Sequence, residues 1–226
     1  MERQIDLKEI SDGRRYGLDD MVRADCGGCA GCSACCRGMG NSVVLDPLDM
    51  HRLVMGTGRG AESLLADVLE LNVVDGIILP NLKMAGEGEA CGFLGGDGRC
   101  TIHPYRPGIC RLFPLGRLYE EGGFQYFLQI HECKKGNRTK VKVKKWIDTP
   151  DAKRYDQYIA RWHFFLKALQ KTARETADRT TAKALSMYVL KQFYLTPFAG
   201  GEAEFYSQFD SRLQAACDLF GVKVVS

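Results

Sequence analysis

Nine of the chain's ten cysteines stand between positions 26 and 133. The first block reads Cys26-x-x-Cys29-x-x-Cys32-x-x-Cys35-Cys36, and Cys91, Cys100, Cys110 and Cys133 follow. Sulfurs three residues apart converge on one centre when the backbone turns tightly, and Gly27, Gly28 and Gly31 permit such turns. Cys35 and Cys36 are adjacent, and in extended backbone their side chains point to opposite sides. Either they serve two centres, or one is a ligand and the other packs in the core. Thiolates suit zinc and iron–sulfur clusters and suit oxygen-preferring metals poorly. Eight or nine sulfurs suffice for two four-cysteine sites, or for one cluster with spare ligands.

The neighbours of these cysteines have readings of their own. Thiolates around a metal leave net negative charge, so Arg106 and Arg111, which flank Cys110, are expected to sit behind the ligands and donate to sulfur. His103 is read as a hydrogen-bonded loop histidine rather than a ligand. Pro104 and Pro107 stiffen the loop between Cys100 and Cys110. Cys26-Gly-Gly-Cys29 resembles a redox pair, but such pairs open a helix and here further cysteines follow at once. Cys217 stands alone on an apolar helix face and reads as core.

In this order, Cys29-x2-Cys32-x2-Cys35-Cys36, Cys91-x-Phe-Leu, Cys100-x-Ile-His, Arg106-Pro107-x2-Cys110-Arg111-x-Phe113-Pro114 and Cys133 resemble the CxxCxxCC cysteine-cluster family. That family is described as zinc- or iron-chelating, and its relatives include the flagellin lysine N-methylase. The resemblance implies a metal ligand set of Cys29, Cys32, Cys35, Cys36, Cys91, Cys100, Cys110 and Cys133. Cys26 is an addition to the family's pattern.

Two other patterns compete for function. Gly56-x-Gly58-x-Gly60 before a helix, with Asp75 beyond, resembles a nucleotide or methyl-donor loop. Such a loop follows a strand within repeated βαβ units, and none surrounds it, so a plain interhelix loop is expected. Residues 134–145 hold seven basic side chains and no acidic one. They suit an anionic or protein partner, but Lys140 to Lys144 alternating with valines also describes a solvated edge strand, which is favoured. Nucleic acid is disfavoured as a partner, because the net charge of the 226-residue chain is only +3.

Composition is otherwise ordinary, with 45% hydrophobic and 26% charged residues, which argues for a folded globular chain. No apolar run approaches the roughly 18 residues of a membrane span. Met1 to Glu9 has no apolar signal segment, so a cytoplasmic protein is expected. A reducing cytosol disfavours structural disulfides, which again points the clustered thiols toward metal.

The elements that must carry these residues are short at first and long later. Ile5 to Ile10 reads as a short strand or helix, and Ser42 to Leu45 as a short strand. Asp46-Pro47 opens a helix, with an N-cap Asp and Pro at the first helical position, and Gly56 ends it. A second helix is expected over Ala61 to Leu71, then a strand from Gly76 to Leu79 ended by Pro80. Phe124 to Ile130 reads as a buried strand. Beyond Pro150, Tyr155, Tyr158, Ile159, Trp162, Leu166 and Leu169 mark one face of a long helix. Thr180 to Leu195 and Glu202 to Phe220 follow as helices, the last with Phe205, Phe209, Leu213, Ala216, Cys217 and Phe220 on one face and Gly221 as its cap.

The expected fold is α+β. A loop-rich, metal-nucleated cysteine-cluster core with short strands packs against C-terminal helices, because the Cys/Gly/Pro segments hold too few large apolar residues for a core of their own. The chain divides into an N-terminal segment 1–25, a metal-binding domain 26–146 and a helical region 147–226. The expected function is binding of an iron–sulfur cluster or zinc, in a structural or electron-transfer role. A lysine methylase-like enzyme and a zinc-stabilised interaction module are the alternatives.

Overall fold

A computed structural model of the chain describes residues 7–27, 32–176 and 178–224. Helix α1 (Leu7–Ile10) and strand β1 (Met21–Asp25) come first, and a 3₁₀ turn at Ala34–Cys36 carries the end of the first cysteine block. Helices α2 (Pro47–Thr57) and α3 (Ala61–Leu65) follow, then strands β2 (Leu69–Val74), β3 (Ile77–Leu82), β4 (Met84–Ala85) and β5 (Ala90–Cys91). A second 3₁₀ turn, His103–Tyr105, leads to α4 (Gly108–Leu112), β6 (Leu115–Glu120), β7 (Gly123–Leu128), β8 (Thr139–Lys142) and α5 (Val143–Ile147). The longer helices are α6 (Ala152–Glu175), α7 (Arg179–Leu190), which runs into a π turn at Lys191–Leu195, and α8 (Glu202–Phe220).

The fold is α+β, as expected. Among the described residues the strands form antiparallel pairs only: β1 with β8, β2 with β3, β4 with β5 and β6 with β7. Helix α2 begins where the Asp-Pro signal places it. The Asp46 side chain accepts from the Asp49 amide, and the Asp49 side chain accepts in return from the Asp46 amide, a reciprocal capping box. The helix runs past Gly56 to Thr57 and stops at Gly58, whose φ of 67° suits the left-handed cap. Gly56 lies within it because the Tyr105 ring packs against its Cα.

The expected helix over 61–71 is corrected to a five-residue helix and a strand. Asp75 and Gly76 have φ of 51° and 93°, the two left-handed residues of a tight hairpin turn between β2 and β3. That turn draws Leu69 to Leu71 into a ladder and ends the helix at Leu65. Asp75 therefore serves a hairpin, and Gly58 and Gly60 cap adjoining helices. β3 also runs on through Pro80, whose carbonyl accepts from the Leu45 amide at 2.9 Å, so Val43 to Leu45 lies alongside as a single bridge rather than a strand.

One hydrophobic cluster joins the two ends of the described chain, from Tyr16 and Val22 through Leu48 and Leu53 to Ala216. Its densest part is aromatic. Tyr158 meets Phe209 at 4.6 Å between ring centroids, and Trp162 meets Phe193 at 5.0 Å. On α6 the buried apolar positions are Tyr155, Tyr158, Ile159, Trp162, Phe165 and Leu169, so Phe165 takes the place expected of Leu166. Helix α8 has the expected bounds and its Gly221 cap, and Cys217 packs at the edge of the core. Among the described residues no helix is long and apolar enough to cross a membrane.

The basic strip lies on the β1–β8 ribbon and α5. Lys144 reaches Asp19 at 2.7 Å and Lys142 reaches it at 3.9 Å, while Lys140 and Lys145 are exposed. Such exposed pairs contribute little to stability.

Candidate metal centre

The two cysteine blocks are joined by backbone. Arg37, directly after Cys36, bridges Ala90, directly before Cys91, and the Gly38 amide donates to the Glu89 carbonyl at 3.0 Å. A tight loop then returns the chain: Leu94 bridges Cys100, and the Gly95 amide donates to Arg99 O at 2.7 Å. Cys91 and Cys100 are thus held side by side, and the 3₁₀ turn and α4 bring Cys110 round to the same place.

These segments enclose a cavity of about 80 Å³. Cys32, Cys35, Cys36, Cys91, Cys100 and Cys110 all line it, and His103, Arg106, Phe113 and Trp146 are among the other residues of its wall. The six cysteines of the cavity form no disulfide. Among the described residues, no three His, Cys, Asp or Glu side chains close on a single point as ligands of one ion. Cys29, expected in the ligand set, lies outside the described residues. Cys26 directly follows β1, and Cys133 precedes β8; neither lines the cavity.

The cavity thiols feel one another. The hydrogen bond between Cys35 and Cys36 lowers Cys35 to about 7, with Arg106 nearby adding to the effect, and pushes Cys36 up. Burial raises Cys91, Cys100 and Cys110; the neighbouring thiolates add to each, and at Cys110 the Asp49 carboxyl adds more than they do. Without a cation Cys36, Cys91, Cys100 and Cys110 hold their protons at neutral pH, while Cys35 is poised to lose its own; a bound metal would displace the protons and take the thiolates as ligands.

The two arginines differ in place. Arg106 lines the cavity, its Nη1 donates to His103 Nε2 at 2.6 Å, and its buried Nε has no hydrogen-bond partner. Because arginine can only donate, His103 Nε2 is an acceptor and the ring is neutral. Arg111 is turned away. It donates through Nε to Arg106 O at 3.1 Å, through Nη1 to Asp148 O at 2.6 Å, and through Nη2 to Pro104 O. Its guanidinium therefore shapes the loop that carries Cys110. At the far end of α4 the Trp146 indole donates to Leu112 O at 3.3 Å and Phe113 O at 3.2 Å.

One participant was not anticipated from sequence. Asp49, 2% exposed, accepts the Gly108 amide on Oδ1 at 2.6 Å, two residues before Cys110. Burial, and then the neighbouring Asp46, raise its carboxyl to about 8. The sequence signal was the third position after the N-cap, where a capping box places its second acceptor. The reach to Gly108, 59 residues away, has no local signature.

The chain's residues 28–144 match the CxxCxxCC family, described as a "putative zinc- or iron-chelating domain". No curated protein and no solved structure matches the chain significantly.

Proposed function

The chain belongs to the CxxCxxCC family of metal-binding domains, and from that premise we propose that its cavity cysteines hold an iron–sulfur cluster with a structural or electron-transfer role. The observation that carries this reading is the hollow itself. Four thiolates on one zinc ion meet it at about 2.3 Å and leave no space between them. Six cysteines here share, with apolar and basic neighbours, the lining of a pocket of about 80 Å³, room for several atoms. Arg106 supports the same reading, since it lines the cavity and brings positive charge beside the Cys35 thiol. A thiolate-bound cluster is anionic and carries sulfur acceptors, so the donor set and the charge both fit.

In this reading Cys32, Cys35, Cys36, Cys91, Cys100 and Cys110 supply the ligands, with Cys29 from the resemblance. Arg106 offsets their charge and donates to sulfur, and His103 holds Arg106 in place. Phe113 and Trp146 keep water from the site. A bound cluster would supply one-electron transfer. The metal-binding unit is placed at 26–146 and the helical region at 147–226, with 1–25 as a lead segment. Free thiols in this number suit a reducing compartment such as the cytosol.

The second reading is zinc, with two ions shared among the same sulfurs. Adjacent Cys35 and Cys36 favour it, because neighbouring thiolates can face two centres. Protein purified without oxygen decides between them. The cluster reading expects colour, iron and acid-labile sulfide in similar amounts, and bleaching by dithionite or air. A colourless protein with near-stoichiometric zinc, from cells supplied with iron, would decide for zinc.

A further inference from the structure

We propose that Asp49 is a positioning residue of the metal centre: through the Gly108 amide it fixes the Cys110 thiolate at the cavity wall, and it ties that wall to the C-terminal helices. The proposal rests on the reading that the cavity cysteines bind metal.

Helix α4 has only five residues, Gly108–Leu112, too few to hold themselves in place by their own hydrogen bonds. Its N-cap position is Pro107, which offers no side-chain cap. The amide at its start is instead taken by a carboxyl oxygen from another helix, Asp49 Oδ1 at 2.6 Å. That bond lies at the N-terminal end of α4, two residues before Cys110, while Trp146 holds the C-terminal end.

Asp49 has no freedom to follow α4 if it moves. Its Oδ2 accepts the Asp46 amide at 3.1 Å, and its own amide donates to Asp46 Oδ1 at 2.9 Å. Asp46 Oδ1 also accepts from the Tyr158 hydroxyl at 2.9 Å, and that hydroxyl accepts the Leu48 amide at 3.0 Å. Tyr158 belongs to α6, as does Tyr155, whose hydroxyl packs against Gly108 itself. The family match ends at residue 144, so α6 lies beyond it. A continuous hydrogen-bonded path thus leads from α6 through the start of α2 to the residue that sets Cys110.

A capping aspartate ordinarily sits at the surface, where its charge is solvated. Asp49 is buried, and the nearby Arg52 gives its fork to Glu202 at 3.1 and 2.6 Å rather than to Asp49. A buried carboxyl in that position, with an amide of the cysteine loop as its partner, suits an anchor better than a cap alone.

The experiment compares Asp49→Ala, Asp49→Asn and Gly58→Ala in the full chain purified without oxygen. Gly58→Ala disturbs the other end of α2 and leaves the Gly108 bond intact, which separates helix stability from positioning. Three quantities are read: iron and zinc per chain, the visible and electron paramagnetic resonance spectra, and the alkylation rate of Cys110 by iodoacetamide after metal removal. Asp49→Ala is expected to weaken metal binding about tenfold, as loss of a group behind a ligand commonly does, to alter the spectrum, and to speed Cys110 alkylation. Asp49→Asn keeps an acceptor for the Gly108 amide and recovers part of each. Gly58→Ala lowers the melting temperature and leaves the spectrum and the Cys110 rate as in the parent chain. Equal Cys110 rates in Asp49→Ala and Gly58→Ala would overturn the positioning role. A parent chain holding neither iron nor zinc would overturn the metal reading, so the two failures are distinguishable.

Discussion

The hydroxyl of Tyr155 stands where a β-carbon on Gly108 would have to be. Gly108 is therefore required by a neighbour in α6, not by backbone conformation, since its φ is not in the left-handed region. The same hydroxyl accepts from Arg117 Nη2 at 3.1 Å, so it cannot swing aside without leaving a buried guanidinium short of a partner. Gly108→Ala is expected to cost about 1–3 kcal/mol, the usual range for overpacking. In a Tyr155→Phe background the added methyl meets no oxygen, so the cost of Gly108→Ala should shrink. A double-mutant cycle by denaturant unfolding measures this, and strictly additive effects would contradict the contact.

Arg111 makes a different prediction from Arg106. Three of its donors end on carbonyls of the loop and of Asp148, and its side chain is 7% exposed. The ion pair to Asp148 at 3.8 Å adds little, because that carboxylate is 82% exposed. Arg111→Met should cost about 2–4 kcal/mol through the unpaired carbonyls it leaves. Arg106→Met leaves the loop's carbonyls untouched and should chiefly change the spectrum or potential of a bound metal. Unfolding midpoints and metal spectra of the two variants separate the roles.

The difference between the two arginines marks where sequence ran out. Both flank Cys110, so position alone gave them one role; the side-chain directions come from the turn at 103–105 and from α5, which no local pattern announces. What was legible was carried by short-range chemistry: the Asp46-Pro47 start of α2, the apolar face of α8 and its Gly221 cap, and the cysteines as a set. The helix expected over 61–71 gives way because Asp75-Gly76 is a hairpin turn: reading Asp75 with the glycine motif and Gly76 as a strand start hides the turn that pairs β2 with β3. β1 was missed because its partner β8 lies more than a hundred residues on, and a two-stranded ribbon is decided by that partner. The join of the cysteine blocks at Arg37 and Ala90 is long-range for the same reason.

Asp156 gives a pH dependence remote from the cysteines. Burial raises its carboxyl to about 6, and the Tyr126 hydroxyl that donates to it offsets only part of this. An aspartate in the unfolded chain titrates near 3.9. Between about pH 4 and 6 the folded state thus binds more protons than the unfolded one, and stability falls as pH rises through that window. The loss is at most about 3 kcal/mol, from about 1.4 kcal/mol per unit of pKa. Asp156→Asn keeps an acceptor for Tyr126 and removes the titration, so the variant should lose this slope and gain on the parent above pH 6. Urea midpoints from pH 4 to 7 test it, and parallel profiles would sink the assignment.

Metal removal should act unevenly. The cavity walls are turns and two-residue strands, whereas α6, the π turn and α8 share a dense aromatic core. If metal ties the cysteine segments together, a strong chelator under anaerobic conditions should raise amide exchange in 86–110 and at 34–38, expose the thiols and lower the melting temperature. Helix α8 should keep its protection until global unfolding. Unchanged exchange in 86–110 after complete metal loss would show that the loops hold without it.

The cysteines themselves should sort by place. Cys32→Ser and Cys110→Ser each replace a thiolate at the cavity wall with a neutral hydroxyl, a poor ligand for zinc or iron–sulfur. Both should lower metal content. Cys217 packs at the edge of the core on α8, and its substitution by serine should leave metal content unchanged while reducing stability by about 1 kcal/mol, the lower end of the cost of burying a hydroxyl. Cys133 is the informative case, because the family pattern includes it while the cavity wall does not. Cys133→Ser is expected to retain more metal than Cys110→Ser. Metal analysis of the four purified variants, at matched expression and without oxygen, reads all of this in one series. Metal loss in Cys133→Ser as deep as in Cys110→Ser would place a ligand outside the six-cysteine cavity, and metal loss in Cys217→Ser would undo the division altogether.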